Sequence, residues 1–260
     1  MNCSKNYLFC VLEESILITF FINAVKIIFL LGLLVFIHEG GHFFIAKLCN
    51  IKVNEFALGF GPTIWKKQGK ETKYALRLIP LGGFVSMEGE NEKSEHERAF
   101  SKTSIPKRIA VVAAGGTVNI IFGLIIYFCL TSFFGNSISY GLKETIDFSL
   151  AIVQNVKQLL IGGVSTDQLM GPVGISSVVS STQGFTEYIY ILALISLSLG
   201  VTNLLPFPPL DGGKIVLLII EAIRRKTLPE KVETYIQMTG FVVLITLSIY
   251  IAYNDVLRIF

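Results

Sequence analysis

The chain is 260 residues long, 52% hydrophobic and only 16% charged, with a formal net charge of +3. Average soluble proteins carry roughly 25% charged residues, so the composition argues against an ordinary soluble domain, and +3 is too small to point to nucleic-acid binding. Cys3, Cys10, Cys49 and Cys129 show no CxxC spacing, so neither a disulfide framework nor a thiolate zinc site is indicated.

A bilayer span needs about 20 mainly apolar residues. The first candidate lies within residues 16–48, with its cleanest core at Ile27–Ile37. No small-x-small cleavage pattern follows it, so it reads as a retained span rather than a signal peptide. Lys26 is the awkward residue; it snorkels to an interface or marks where the span starts. Residues 51–88 then hold short β-prone stretches (Ile51–Leu58, Tyr74–Ile79, Phe84–Met87). Turn signals separate them at Gly59–Pro62 and Pro80–Gly83, which predicts a small antiparallel sheet. Gly89–Ser104 is polar and reads as a solvated loop.

The second span runs from about Ile109 to Phe134. Over residues 142–161, Leu142, Ile146, Phe148, Ile152, Val153, Val156, Leu159 and Leu160 share one helical face, opposite Lys143, Glu144, Asp147 and Gln154. That pattern predicts an amphipathic helix, lying in the membrane interface or covering the spans. The third span covers about Tyr188–Leu205 and ends at a proline cluster; the fourth covers about Ile236–Tyr253. The fold class is therefore an α-helical polytopic membrane protein of about four spans. A small membrane-associated β-sheet follows the first span, and the amphipathic helix follows the second. The spans and links read as one domain over residues 1–260.

Charge sets the orientation. Twelve Lys or Arg residues lie between Lys47 and Arg108, two between Ser132 and Gly184, and five between Leu210 and Tyr235. The positive-inside rule places the first and third links in the cytoplasm and both termini outside.

The strongest chemical signal is His38-Glu39-Gly40-Gly41-His42. On a helix, residues i and i+4 project from one face about 6 Å apart, so two imidazoles can grip one zinc ion. Glu39 falls beside them, placed to take a proton from a water whose pKa the metal lowers to about 7. Ionisable groups inside an apolar span cost about 2.5–3.5 kcal/mol for a central charge, and a metal compensates them economically. The bland reading is a pair of water-facing histidines at a helix end. His96, in the polar loop, reads as solvated. A catalytic zinc wants a third protein ligand, and a carboxylate is the available choice. Asp211 is the best candidate, in Asn203-Leu-Leu-Pro-Phe-Pro-Pro-Leu-Asp211-Gly-Gly, where prolines end the third span. Its bland reading is a helix cap, and Glu88 and Glu90 are weaker rivals.

HEGGH at the end of a first span, N-x-x-P-x-P-x-L-D-G-G downstream and GPVGI at Gly171–Ile175 together resemble the site-2 protease family of intramembrane zinc metalloproteases. The closer resemblance is to its bacterial regulator-of-sigma-E-protease-like branch. ALGFGPTIW (Ala57–Trp65), LIPLGGFVSM (Leu78–Met87) and AFSKTSIPKRIAVVAAGGTVN (Ala99–Asn119) add to it. The resemblance implies one zinc ion on His38, His42 and Asp211, with Glu39 as catalytic base and Asn203 holding substrate or oxyanion. It also implies that the strands of residues 51–88 guide unwound single-span substrates, such as anti-sigma factors or remnant signal peptides. β-addition suits that task, because a helix hides its peptide bonds. This chain departs from the pattern in lacking room for a PDZ domain between Phe134 and Tyr140. It also has Gly116 where proline is common and Lys214 where histidine or arginine follows LDGG. A zinc transporter would want further ligand sites along a pathway and no Glu39. An inactive span-binding scaffold would not need the complete residue set.

Overall fold

A computed structural model describes residues 3–90, 92, 94–161 and 171–259. Helix α1 (Cys3–Leu48) leads into strands β1 (Val53–Gln68) and β2 (Lys73–Met87). A 3-10 turn (Phe100–Lys102) precedes α2 (Ile105–Phe134), α3 (Ile138–Ile161), α4 (Pro172–Ser181), α5 (Phe185–Asn203), α6 (Asp211–Arg224) and α7 (Glu230–Ile259). Among the described residues four stretches are long and apolar enough to cross a membrane: Leu17–Leu48, Ile105–Phe134, Phe185–Asn203 and Glu230–Arg258. They match the four spans read from hydropathy.

The sheet bears out the glycine-rich turns of the sequence reading. Each long strand reverses direction there and so contributes two short paired segments. Gly59, Gly61 and Gly82 take positive φ (85°, 84° and 102°), which such reversals favour. Val53–Leu58 pairs with Gly83–Met87, Glu55–Leu58 also lies opposite Lys73–Leu76, and Thr63–Gln68 pairs with Lys73–Arg77. Gly83–Met87 is therefore an edge, its far side unpaired with any other described strand.

An aromatic cluster docks the sheet on α1. Phe56 sits 6.0 Å from Phe36 and 5.4 Å from Phe43, ring centre to ring centre, and Tyr74 closes the group at 6.1 Å from Phe43. Each such pair is worth about 0.5–1.5 kcal/mol beyond burial. Phe36 and Phe43 flank the His38–His42 turn, so this packing sets the sheet level with it.

Gly89–Ser104 is no freely solvated loop. Ala99 and Phe100 are buried, and Arg98 pairs with Glu71 at 2.6 Å. Lys26 is also accounted for: its Nζ donates to Thr182 O, the C-cap of α4, while Tyr188 Oη donates to Lys26 O. A cation at a helix C-terminus is favourable there. The amphipathic helix exists as α3. Phe148 stacks on Tyr127 of α2 at 4.4 Å, yet Leu142, Ile146 and Val153 stay at least half exposed, as lipid contact requires. The side chains of Leu159 and Leu160 lie outside the described residues.

Candidate metal centre

The helical spacing of HEGGH does what periodicity demands. His38 Nε2 and His42 Nε2 approach to 3.2 Å, with ring planes at 83°. Asp211 Oδ2, from the first residue of α6, lies 3.3 Å from each of them. Three donors on a tetrahedron with arms of about 2.0–2.1 Å stand roughly 3.3 Å apart. The triangle therefore has the dimensions of a zinc site. Asp211 Oδ2 is buried and has no properly aligned hydrogen-bond partner among the described residues, as expected of atoms aimed at a shared point. Among the described residues these three form the one group of His, Cys, Asp and Glu able to hold a metal.

The neighbours prepare this geometry. His42 Nδ1 donates to Val111 O of α2 at 2.8 Å, fixing the tautomer whose Nε2 lone pair faces the other donors. Helix α2 comes this close because Gly115 has no side chain: a Cβ there would sit 2.3 Å from His42 Nε2 and 2.8 Å from His38 Cε1. Gly41 does the same from α1, where a Cβ would lie 2.7 Å from Ala114 O. Asp211 is delivered by the proline-rich turn after α5, which folds back on α6. A Cβ on Gly212 would meet Leu205 O at 2.2 Å, and one on Gly213 would meet Pro208 N at 2.6 Å.

Two ion pairs anchor α6. Arg108 of α2 makes a two-pronged contact with Glu221 at 2.6 and 3.2 Å, and Lys214 reaches Glu90 at 2.6 Å. Phe100 packs against both cations, 5.9 Å from Arg108 and 5.4 Å from Lys214.

Glu39 projects beside the triangle toward the sheet. A Cβ on Gly83 would lie 3.0 Å from Glu39 Cγ, so the edge segment Gly83–Met87 begins against the Glu39 side chain. The rival ligands are engaged elsewhere: Glu90 by Lys214, and Glu88 by Ser94, Asn54 and Lys52. His96 is exposed, its Nδ1 accepting from Arg98 N. Asn203 is the last residue of α5, joined to Asp211 by the Leu204–Leu210 turn. Gly83, Arg108 and Gly115 lie in stretches that sequence reasoning noted only as a resemblance; it gave them no role, and it missed the Arg108–Glu221 pair.

Comparison with known proteins points to zinc metalloproteases. The model of Peptidase family M50 matches residues 26–247. A Clostridium acetobutylicum protein, provisionally named a zinc metalloprotease, is 27% identical over 91% of this chain and 98% of its own length. Zinc metalloprotease RasP of Bacillus licheniformis is 23% identical over 92% of this chain and 99% of its own. A Campylobacter jejuni protein with a similar provisional name is 24% identical over 89% of this chain and 92% of its own. The first two alignments run to 332 and 416 positions, longer than the whole chain, so these relatives carry segments without a counterpart here.

Proposed function

This chain belongs to peptidase family M50, the site-2 protease family of zinc metallopeptidases, and from that premise we propose that it is an intramembrane endopeptidase cutting single-span membrane proteins. The observation that carries this reading is the donor triangle of His38, His42 and Asp211, with edges of 3.2–3.3 Å. Its two histidines lie on a candidate span, with Glu39 beside them and a strand edge beginning at Glu39.

His38, His42 and Asp211 would hold one zinc ion. When bound, zinc supplies Lewis acidity that acidifies a water to a pKa of about 7 and polarises the scissile carbonyl. Glu39 accepts the proton of the attacking water and returns it to the departing amine nitrogen. Asn203 donates a hydrogen bond to the substrate or its developing oxyanion. The substrate is unwound and adds as a strand to the free edge of Gly83–Met87, which supplies backbone partners and leads it past Glu39.

The protein is a multi-pass component of the cell membrane, in contact with the bilayer, with no nucleic-acid partner. The twelve Lys and Arg residues between Lys47 and Arg108 support a metal centre near the cytoplasmic side and termini outside. The spans, sheet and α3 work as one domain. Gly135–Ser137 alone join α2 to α3, which leaves no room for a PDZ domain between them. Substrates are those of regulated intramembrane proteolysis, such as anti-sigma factors or remnant signal peptides. The test compares membrane proteomes of cells carrying the wild-type chain and Glu39→Gln. Span-containing fragments should accumulate with Glu39→Gln; identical proteomes would remove the assignment.

A further inference from the structure

Seven buried side-chain atoms lack a hydrogen-bond partner among the described residues, and four of them belong to His38, Asp211 and Asn119. Asp211 Oδ2 and His38 belong to the donor triangle. Asn119 is not one of the donors. It is fully buried in α2, with both Oδ1 and Nδ2 unpaired, at a depth where unpaired polar groups are costly.

Its place in the helix says what the carboxamide is for. Asn119 stands one turn after Gly115, and the Cα–Cβ bonds of a helix tilt toward its N-terminus. The Asn119 side chain therefore leans over the turn that contains Gly115. That glycine borders the triangle: a Cβ on it would fall 2.8 Å from His38 Cε1, the atom bonded to the unpaired Nδ1. Packing alone does not require an asparagine, because the contact to α5 uses the backbone. Ser196 Oγ donates to Asn119 O at 2.8 Å, and a leucine would fill the same volume without unpaired polar atoms.

The two histidines also differ. His42 Nδ1 is held by Val111 O, whereas His38 Nδ1 is held by nothing. An imidazole that presents Nε2 to a metal carries its hydrogen on Nδ1, and metal-ligating histidines almost always donate that hydrogen to an acceptor. We infer that Asn119 is a positioning residue for the metal centre: its Oδ1 accepts the hydrogen of His38 Nδ1 through one bridging water. The helix α2 then orients both ligand rings, His42 through a backbone carbonyl and His38 through a side chain about two turns further along.

This rests on the proposal that His38 is a zinc ligand, and the experiment separates the two. The full chain is purified in detergent, stripped of metal and titrated with zinc against a competing chelator. Each apo-protein is melted in parallel, and cobalt-substituted spectra are recorded. Asn119→Leu, which keeps the volume and removes the acceptor, should lose 10- to 100-fold in zinc affinity and shift the cobalt ligand-field bands. Asn119→Asp, which keeps an acceptor, should stay within about threefold of wild type. Wild-type affinity and spectrum in Asn119→Leu would overturn the inference, as would an equal loss in both variants. If Asn119→Leu does not fold, Asn119→Asp decides: a folded Asn119→Asp that has lost zinc affinity overturns it. If instead His38→Ala binds zinc as the wild type does, the ligand assignment itself has failed.

Discussion

Gly115→Ala tests whether the approach of α2 is what makes the metal centre possible. The added methyl would lie 2.3 Å from His42 Nε2, whereas ordinary contact begins at 3.4 Å. The ring must therefore retreat by about 1 Å, five times the roughly 0.2 Å tolerance of a metal–ligand distance. It has little freedom to do so. His42 Nδ1 is tied to Val111 O on the same helix, and Gly41 already packs against Ala114 O. Gly115→Ala should therefore lose at least 100-fold in zinc affinity, about 2.7 kcal/mol. Gly40→Ala is the internal control. Gly40 has nothing within 4 Å of a built Cβ, so alanine there should leave zinc affinity unchanged and stabilise the helix by up to about 1 kcal/mol. Chelator-competition titration of both purified variants measures this. Wild-type affinity in Gly115→Ala, or equal losses in both, would refute the reasoning.

Further predictions concern what holds the site in place. Removing one partner of the buried Arg108–Glu221 pair, as in Glu221→Gln, should cost about 3–5 kcal/mol, and Arg108→Met with Glu221→Met should recover much of it; thermal unfolding in detergent compares the three. Asp255 of α7 is buried and accepts the N–H groups of Gly171 and Gly174 at 2.9 Å each. Asp255→Ala should destabilise the protein by about 1–2 kcal/mol, seen as a lowered melting temperature. The Glu88 carboxyl is held down to about 2, first by the Ser94 hydroxyl and then by Asn54 and Lys52. Its stabilisation is complete above the ordinary 4.5 and is lost as pH falls toward 2. Glu88→Gln should therefore lose less melting temperature than wild type over that window.

Much of this was legible in the sequence, and the reasons are physical. Hydropathy found the spans because a bilayer tolerates nothing else over that length. Helical periodicity brought His38 and His42 together because i and i+4 share a face. Asp211 stood out because prolines broke a span immediately before a carboxylate. The turns at Gly59–Gly61 and Gly82 were legible because glycine supplies the positive φ that a reversal needs. The polar loop looked solvated because its partners are distant in sequence: Arg98 meets Glu71, and Lys214 meets Glu90. Gly115 and Asn119 stayed hidden for a similar reason. They sit in a stretch noted for its resemblance, but what they do shows only when α1 is laid beside them.

The central claim is that one metal triangle with Glu39 beside it cuts peptide bonds. The most direct measurement uses purified wild type and Glu39→Gln, each assayed for bound zinc and for cleavage of a model transmembrane segment in detergent. Wild type should hold one zinc per chain and cleave; Glu39→Gln should hold the same zinc and cleave nothing. Undiminished cleavage by Glu39→Gln would contradict the claim.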